Sequence, residues 1–586
     1  MSPIACTLEF VNHHIVDNIQ RLPTAVVGIL AGIGVFTALV SYQLVLYPFF
    51  LSPLRKLPGP PLGPNLLIGR FGEIIRGEAG IPQREWVKKY GTPLRVVGPI
   101  GLQRLIFTSP EALQKILVSG WTANPRPKFM RDILGIVAGY GLLTVTGNEH
   151  RQMRKAMNPA FSIPALMAQV DMYHDAVDSL VDILNDKIST EEEKTGAGQG
   201  KVELMYEWMS KVTLDIICLS AFGYETDSLH NPHNELAEAY EELIKLQTGG
   251  NLSRFILIMS IPGVPRFFAS EWAWKHRNMI GKLPTLRSAE ILLDCMHRIK
   301  DVSTRILAQK LQEAGGLDSA DTSTKKDIMS LLVRARKAEE EAREKEKAKL
   351  GMGVAAAGVE SYRMSDKEMM DQVLTFLGAG HETTASGLAW TLWLLANDQE
   401  SQQKLREEVS PLFEVSTTEN GSKIRRGRPG YRELKDLLWL DAVVMESLRL
   451  YPPVPMTFRQ AATNDYIDGI YVPKGTMFYI PIRVVNTLVD VWGEDAEEFR
   501  PSRWLPGHLP DKYNVNPSLS MMSFIAGPHA CIGKTMSIME MKAVLAPLIA
   551  NFEFEPSYAG QNAMPTAAVT MKPADDMPLR VRRVRA

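Results

Sequence analysis

The chain has 586 residues, 45% of them hydrophobic and 22% charged, with a formal net charge of -1. That composition builds a large globular core, and the near balance of acid and base excludes a general nucleic-acid or polyanion partner. The four cysteines, Cys6, Cys218, Cys295 and Cys531, stand far apart without CxxC or finger spacing, which excludes a disulfide framework and fits a reducing compartment.

From Ala25 to Leu51 no Asp, Glu, Lys or Arg occurs, a run long enough to cross a hydrocarbon layer of about 30 Å. The pattern predicts a transmembrane anchor over 25–51 after a short lumenal segment, 1–24. The basic pair Arg55 and Lys56 beyond it places the C-terminal bulk in the cytosol. The stretch SPLRKLPGPPLGP, 52–64, is proline-rich and is expected to act as a stiff hinge between the anchor and one catalytic body, 65–586.

Helical patterns dominate the body. KVELMYEWMSKVTLDIICLSAFG reads as one buried helix ended by Gly223, and DQVLTFLGAGHETTASGLAWTLWLLAN as a long apolar helix. Ser365 and Glu368 have the spacing of a capping box at the start of the second. RLIFTS and the stretch YIDGIYVPKGTMFYIPI read as strands, the latter as two around a turn. STEEEKTGAGQGK and RKAEEEAREKEKAK read as solvated surface segments. The fold class is mainly α with small β-sheets.

Four motifs stand out. AGHETT, Ala379–Thr384, puts a glycine, an acid and two threonines inside an apolar helix; it is either a kink packed by small side chains or an opening beside a ligand, with Glu382 and Thr383 handling protons. Glu446 and Arg449 lie three apart among apolar neighbours, a spacing that lets them pair on one helix face. EEFRPSRWLP carries Arg500 and Arg503 beside the anchors Phe499 and Trp504. In FIAGPHACIGK, Gly527 and Gly533 bracket Cys531 just before a helical run, where amides and dipole favour thiolate. That environment suits a metal ligand or a nucleophile, and Phe524 would shield the sulfur from water.

The order and spacing of these motifs resemble the cytochrome P450 superfamily of haem-thiolate monooxygenases, of microsomal and fungal-like type. The anchor, the LPGPP segment and the block GNEHRQMRKAMNPAFS fit the same resemblance. It implies the mainly α fold of that family behind a single anchor, with haem b between the long helix and the cysteine loop. By the resemblance Cys531 is the axial thiolate, which favours O–O cleavage at iron. Phe524, Gly527 and Gly533 shape its loop, and Ala379 and Gly380 leave room beside the iron. Glu382 and Thr383 relay protons, and Glu446, Arg449 and Arg503 form a buried supporting network. His150, Arg154, Arg459 and His529 fall at propionate-contacting positions. His529 and His150 stand where the family commonly has Arg and Trp, and a histidine titrating near neutrality would make haem retention depend on pH.

The resemblance further implies insertion of one oxygen atom from O2 into a hydrophobic small molecule. Electrons would come from NADPH through a flavoprotein reductase, with cytochrome b5 as a possible second donor, at the endoplasmic reticulum membrane. Arg151, Lys155 and Lys534 are the expected reductase contacts. Specificity would reside in Ala123–Leu143, 241–292, Val454–Thr457 and the stretch around Ala567 and Ala568. An oxygen-independent isomerase or dehydratase, or a non-enzymatic haem sensor, are the competing readings.

Overall fold

The computed structural model describes residues 24–584 apart from 64, 66, 196–197, 232, 247–257, 260, 262, 316–325, 351–361, 418–422 and 567–569. The fold is mostly helical with small sheets, as expected. Helices used below are α1 (Thr24–Ser41), α2 (Lys128–Ala138), α3 (Gly147–Met157), α4 (Met205–Phe222), α5 (Glu235–Leu246), α6 (Asp366–Asn397), α7 (Leu438–Leu450) and α8 (Lys534–Asn551). Strands are β1 (Leu94–Val97), β2 (Gln103–Ile106), β3 (Lys201–Leu204), β4 (Thr457–Gln460), β5 (Met477–Ile480), β6 (Phe552–Pro556) and β7 (Pro578–Arg583).

The central helix α6 starts at the expected capping box. The Ser365 side chain accepts from the Glu368 amide, and the Glu368 carboxylate accepts from the Ser365 amide at 2.7 Å. From there it runs unbroken through AGHETT, because Thr383 and Thr384 return their hydroxyls to the carbonyls of Ala379 and Gly380 at 2.8 and 3.0 Å. Gly380 serves packing: a Cβ there would stand 2.8 Å from Ile217 of α4, so the missing side chain lets the two helices close on each other.

Two segments differ from their sequence patterns. Lys201–Leu204 is not helical but forms β3, because β7 offers it a strand edge; α4 then runs to Phe222, and Gly223 caps it at φ +57°. The stretch from Asp465 holds three strands instead of two. Asp465–Ile467 pairs with Ile470–Val472 as a hairpin, and β5 joins the order β1-β2-β5-β4, parallel only to β2. The other sheet has the antiparallel order β6-β7-β3.

Gly28–Leu51 is long and apolar enough to cross a membrane, and almost all of its surface faces outward. Its C-terminal part, Tyr42–Leu51, rests on the body: Leu44 and Pro48 are buried, Gln43 donates to the Ile100 carbonyl at 3.4 Å and Arg95 to that of Pro48 at 2.9 Å. The segment expected as a hinge is tied down as well. Ser52 donates to Gln103 at 2.8 Å, the Arg95 amide donates to the Pro58 carbonyl at 2.8 Å, and a Cβ on Gly59 would stand 2.0 Å from the Arg95 carbonyl oxygen. Prolines remove donors from this stretch, so the β1–β2 hairpin supplies the partners that fix it.

Gly59→Val should therefore lever the segment off the hairpin at an overpacking cost of about 1–3 kcal/mol. Trypsin should cut after Arg55 or Lys56 faster in the variant while the melting of the body changes little; equal cutting rates would show that the segment is free in the parent protein.

Candidate active site

Glu446 of α7 is the best-connected buried carboxylate. Arg449 reaches it in a two-pronged pair, Nε to Oε2 and Nη2 to Oε1, both at 2.8 Å. Arg503 donates at 2.9 Å, the Trp504 indole at 2.8 Å and the Arg500 amide at 3.0 Å. Arg449 spends its other donors on the carbonyls of Asn486, Ala496 and Glu498 at 3.0, 2.5 and 3.2 Å, and its guanidinium lies 4.9 Å from the Trp492 ring centroid. Burial opposes charge on Glu446, but Arg449, Arg503 and the Arg500 amide hold its carboxyl below the ordinary value. Every member is satisfied, the condition under which a buried ion network is tolerable. Trp504, read from sequence as an apolar anchor, is a hydrogen-bond partner too.

The cysteine loop is built on this base. The Ser523 hydroxyl donates to the Leu448 carbonyl at 2.7 Å, and the Met522 amide to Asn486 at 2.7 Å. Ile525 and Gly527 take φ of +58° and +77°, and a Cβ on Gly527 would stand 2.2 Å from the Leu117 carbonyl oxygen, so only glycine fits there. The Cys531 amide closes the loop on the Phe524 carbonyl at 2.9 Å, and α8 begins three residues later. Burial pushes the Cys531 thiol up, while the Gly533 amide, Arg154 and Lys534 pull it down. Cys531 nonetheless keeps accessible surface. A metal ion bound at the sulfur would take over the role of counter-charge. Across the fold Ala379 and Thr383, one turn apart on α6, are half-buried.

Around the loop lies a cluster of cations. Arg154 donates to the Ala530 carbonyl at 2.5 Å; Arg459 of β4, 2% exposed, donates to the Phe458 carbonyl at 2.7 Å and leaves Nη2 without a partner. His150 and His529 lie ring to ring, centroids 3.9 Å apart, with Trp121 5.7 and 5.3 Å away. Burial, then Arg126, His150, Arg459 and Arg154, push His529 down to about 2. Burial, then Arg154, Arg126 and Arg459, push His150 down to about 4. Both imidazoles are neutral near pH 7, so the expected titration of His529 near neutrality does not hold among these groups. His529 Nε2 and His150 Nδ1 also lack hydrogen-bond partners.

Arg126, which the sequence reading left inside a substrate-facing stretch, belongs to this cluster. Its guanidinium donates to the Leu143 carbonyl, and burial pushes it down to about 10. The signal available in the sequence was a lone arginine between two prolines in NPRP, too common a pattern to single out. Three arginines and two unsatisfied imidazoles, with a thiol beside them, fit a flat iron-bearing ligand with two carboxylates, as haem is. The stretch around Ala567 and Ala568 lies outside the described residues. A separate cleft lined by Ile68, Glu73, Pro82 and Trp86 shares no residue with this site.

The family model for cytochrome P450 matches residues 58–578. The chain belongs to the cytochrome P450 family. Among curated cytochrome P450 proteins it is 34% identical over 543 residues to cytochrome P450 monooxygenase 205 of Postia placenta, covering 89% of this chain and 90% of that protein. It is 29% identical over 588 residues to cytochrome P450 monooxygenase claO of Ampulloclitocybe clavipes, covering 93% and 98%. It is 29% identical over 527 residues to cytochrome P450 monooxygenase sphH of Aspergillus fumigatus, covering 89% and 87%. Cytochrome P450 enzymes are haem-binding oxidoreductases that incorporate oxygen.

Glu446→Gln leaves two buried guanidiniums short of charge and should cost about 3–5 kcal/mol. Because the folded carboxyl titrates below the unfolded one, its contribution is present above the unfolded value and is lost as pH falls through the folded value. Chemical denaturation of both proteins along an acid pH series should show their stabilities converging; a constant gap would overturn the assignment.

Proposed function

We propose that the chain is an NADPH-dependent monooxygenase that inserts one oxygen atom from O2 into a hydrophobic small molecule of terpenoid, steroid, fatty or polycyclic aromatic type. The observation that supports the reading is the adjacency, mid-way along α6, of a buried acid held by the Thr570 hydroxyl, Glu382, and a half-buried alcohol, Thr383. An isomerase or dehydratase needs no such pair, and a haem sensor needs no proton supply. The bound haem, with Cys531 as its thiolate, would supply the oxygen-activating chemistry.

The chain's own residues have separable tasks. Arg126, Arg154, Arg459, His150 and His529 would hold the propionates; the two neutral imidazoles can each donate one hydrogen bond without adding charge. The Gly533 amide tempers the basicity of the sulfur. Thr383 donates its hydroxyl proton to the Ala379 carbonyl at 2.8 Å, which leaves the oxygen lone pairs free to accept a hydrogen bond from a bound water; as a relay it would release that proton from the carbonyl as it takes one from such a water, itself supplied by Glu382.

Electrons would arrive from a flavoprotein reductase, with cytochrome b5 as a second donor, at the endoplasmic reticulum membrane that holds the anchor. Arg151, Lys155 and Lys534 are exposed around the cysteine loop, with Arg151 over the Trp121 ring and Lys534 over the Phe524 ring at 5.8 and 5.7 Å. This positive rim suits an acidic partner surface.

The reduced, carbon monoxide-bound protein should show the long-wavelength band of a thiolate ligand, and Cys531→Ala should lack it; a variant that kept the band would overturn the ligand assignment. With a substrate found by spectral-shift screening, Thr383→Ala should keep consuming NADPH while product falls and peroxide rises. Lys155→Glu should slow reduction by the reductase most at low salt and little at high salt, since exposed charges are screened within about 10 Å at 0.1 M.

A further inference from the structure

Glu382 is not an isolated acid. It is 9% exposed, and its Oε1 accepts a hydrogen bond from the Thr570 hydroxyl, on the segment that leads into β7. That segment is fixed by the same face of α6. Ser386 and Trp390, one and two turns beyond Glu382, both donate to the Met571 carbonyl, at 2.8 and 2.6 Å, and the Met571 amide donates to the Pro453 carbonyl at 2.7 Å. Pinning residue 571 from both sides delivers Thr570 to Glu382 and turns Lys572 inward.

Lys572 is 6% exposed, with its ammonium 5.8 Å from the Tyr206 ring centroid. The groups facing Glu382 and Lys572 come from three directions. From α4 come Tyr206 and Glu207; from α5 come Tyr240 and the pair Glu241–Lys245, joined at 2.6 Å; from the C-terminal segment come Asp575 and Asp576. On α6 itself His381 Nδ1 donates to the Leu377 carbonyl at 2.8 Å, with its ring edge-on to Tyr240 at 4.6 Å. Asp576 is half-buried at the edge of the body, and its carbonyl accepts from the Tyr206 amide at 3.0 Å. The Tyr206 and Tyr240 hydroxyls and His381 Nε2 are buried without a hydrogen-bond partner among the described residues. A lining of that kind accommodates ordered water. Polar groups thus run from the surface at Asp576, past Lys572, to the buried carboxyl of Glu382.

We propose that Lys572 feeds protons to Glu382: its ammonium gives a proton, through water ordered among the Tyr206 and Tyr240 hydroxyls, to the carboxylate that Thr570 holds, and the resulting amine is recharged from solvent at the Asp576 edge. In the transfer an N–H bond breaks and an O–H bond forms, an ammonium and a carboxylate become a neutral amine and acid, and no electrons move. Burial pushes Lys572 down, opposed by Asp576 and Glu382, and pushes Glu382 up, opposed by Thr570 and Lys572. The two proton affinities therefore approach each other, which lowers the cost of passing a proton between them. The inference rests on the monooxygenase reading, in which Glu382 supplies Thr383. It adds that Lys572 acts through Glu382 and touches neither substrate nor haem.

The test separates proton supply from charge and packing. In the haem-loaded, full-length protein, the protonated-carboxyl infrared band of Glu382 is assigned by its loss in Glu382→Gln, and its exchange is followed after dilution into D2O. Arginine keeps the charge of lysine but does not give up its proton. Lys572→Arg and Lys572→Ala should both slow exchange by about tenfold or more, and methylamine should restore it in Lys572→Ala only. Exchange at the parental rate in Lys572→Arg would overturn the proposal, leaving Lys572 a structural counter-charge. Should Lys572→Ala lose the carbon monoxide band, Lys572→Arg alone decides. The measurement needs no substrate or reductase, so a protein that never yields oxygenated product would defeat the monooxygenase reading without touching the exchange result.

Discussion

Glu446 collects donors from two separate pieces of chain: Arg449 on its own helix, and the Arg500 amide, Arg503 and Trp504 on the meander. A carboxylate taken out of water is costly, and what stabilises it here is the completeness of its hydrogen bonding. The consequence is positional. With Arg449 also holding the carbonyls of Asn486, Ala496 and Glu498, the end of α7, the turn at Asn486 and the meander become one rigid unit. Asn486 and Leu448 in turn grip Met522 and Ser523, so the cysteine loop takes its position from that unit. A loop with two left-handed residues would not hold one conformation unaided.

The cation cluster shows how a departure from a family pattern can be coherent. Neither His150 nor His529 makes sense as a lone replacement of a larger side chain. Together they stack at 3.9 Å and fill one space beneath Trp121. The pair exchanges an arginine's fixed charge for two neutral donors, and Arg126 stands close enough to both histidines to act on their proton affinity. Charge at this edge is thereby moved from the cysteine loop to the segment before α2.

Local patterns were legible where one stretch of sequence carries the whole physical cause. The capping box, the long helix, the Glu446–Arg449 spacing and the glycine loop all depend on residues within a few positions of each other. What stayed hidden depends on partners far along the chain. Nothing in KVEL announces a strand until β7 supplies its edge. Nothing in SPLRKLPGPP announces that Gln103 holds its first residue and Arg95 its Pro58 carbonyl. Arg126 and Lys572 are single charges in ordinary surroundings, and only tertiary contacts turn them into members of a site. The packing of Gly380 was hidden for the same reason: it depends on Ile217, 163 positions earlier by their numbering in the chain.

The distal acid and the proximal network are also mechanically joined. Trp390, which holds the Met571 carbonyl on one edge, lies flat against Tyr451 with ring centroids 4.3 Å apart and an interplanar angle of 9°. Tyr451 caps α7, the helix of Glu446 and Arg449, and the Arg483 guanidinium lies 4.9 Å from its ring centroid. Pro453, two residues on, accepts the Met571 amide. A shift of α7 would therefore be felt at residues 570–572, and through Thr570 at Glu382. Close-packed interiors transmit such displacements because they contain little free space to absorb them. The side that would fix the thiolate and the side that would handle protons are held in register by one aromatic stack and one backbone hydrogen bond.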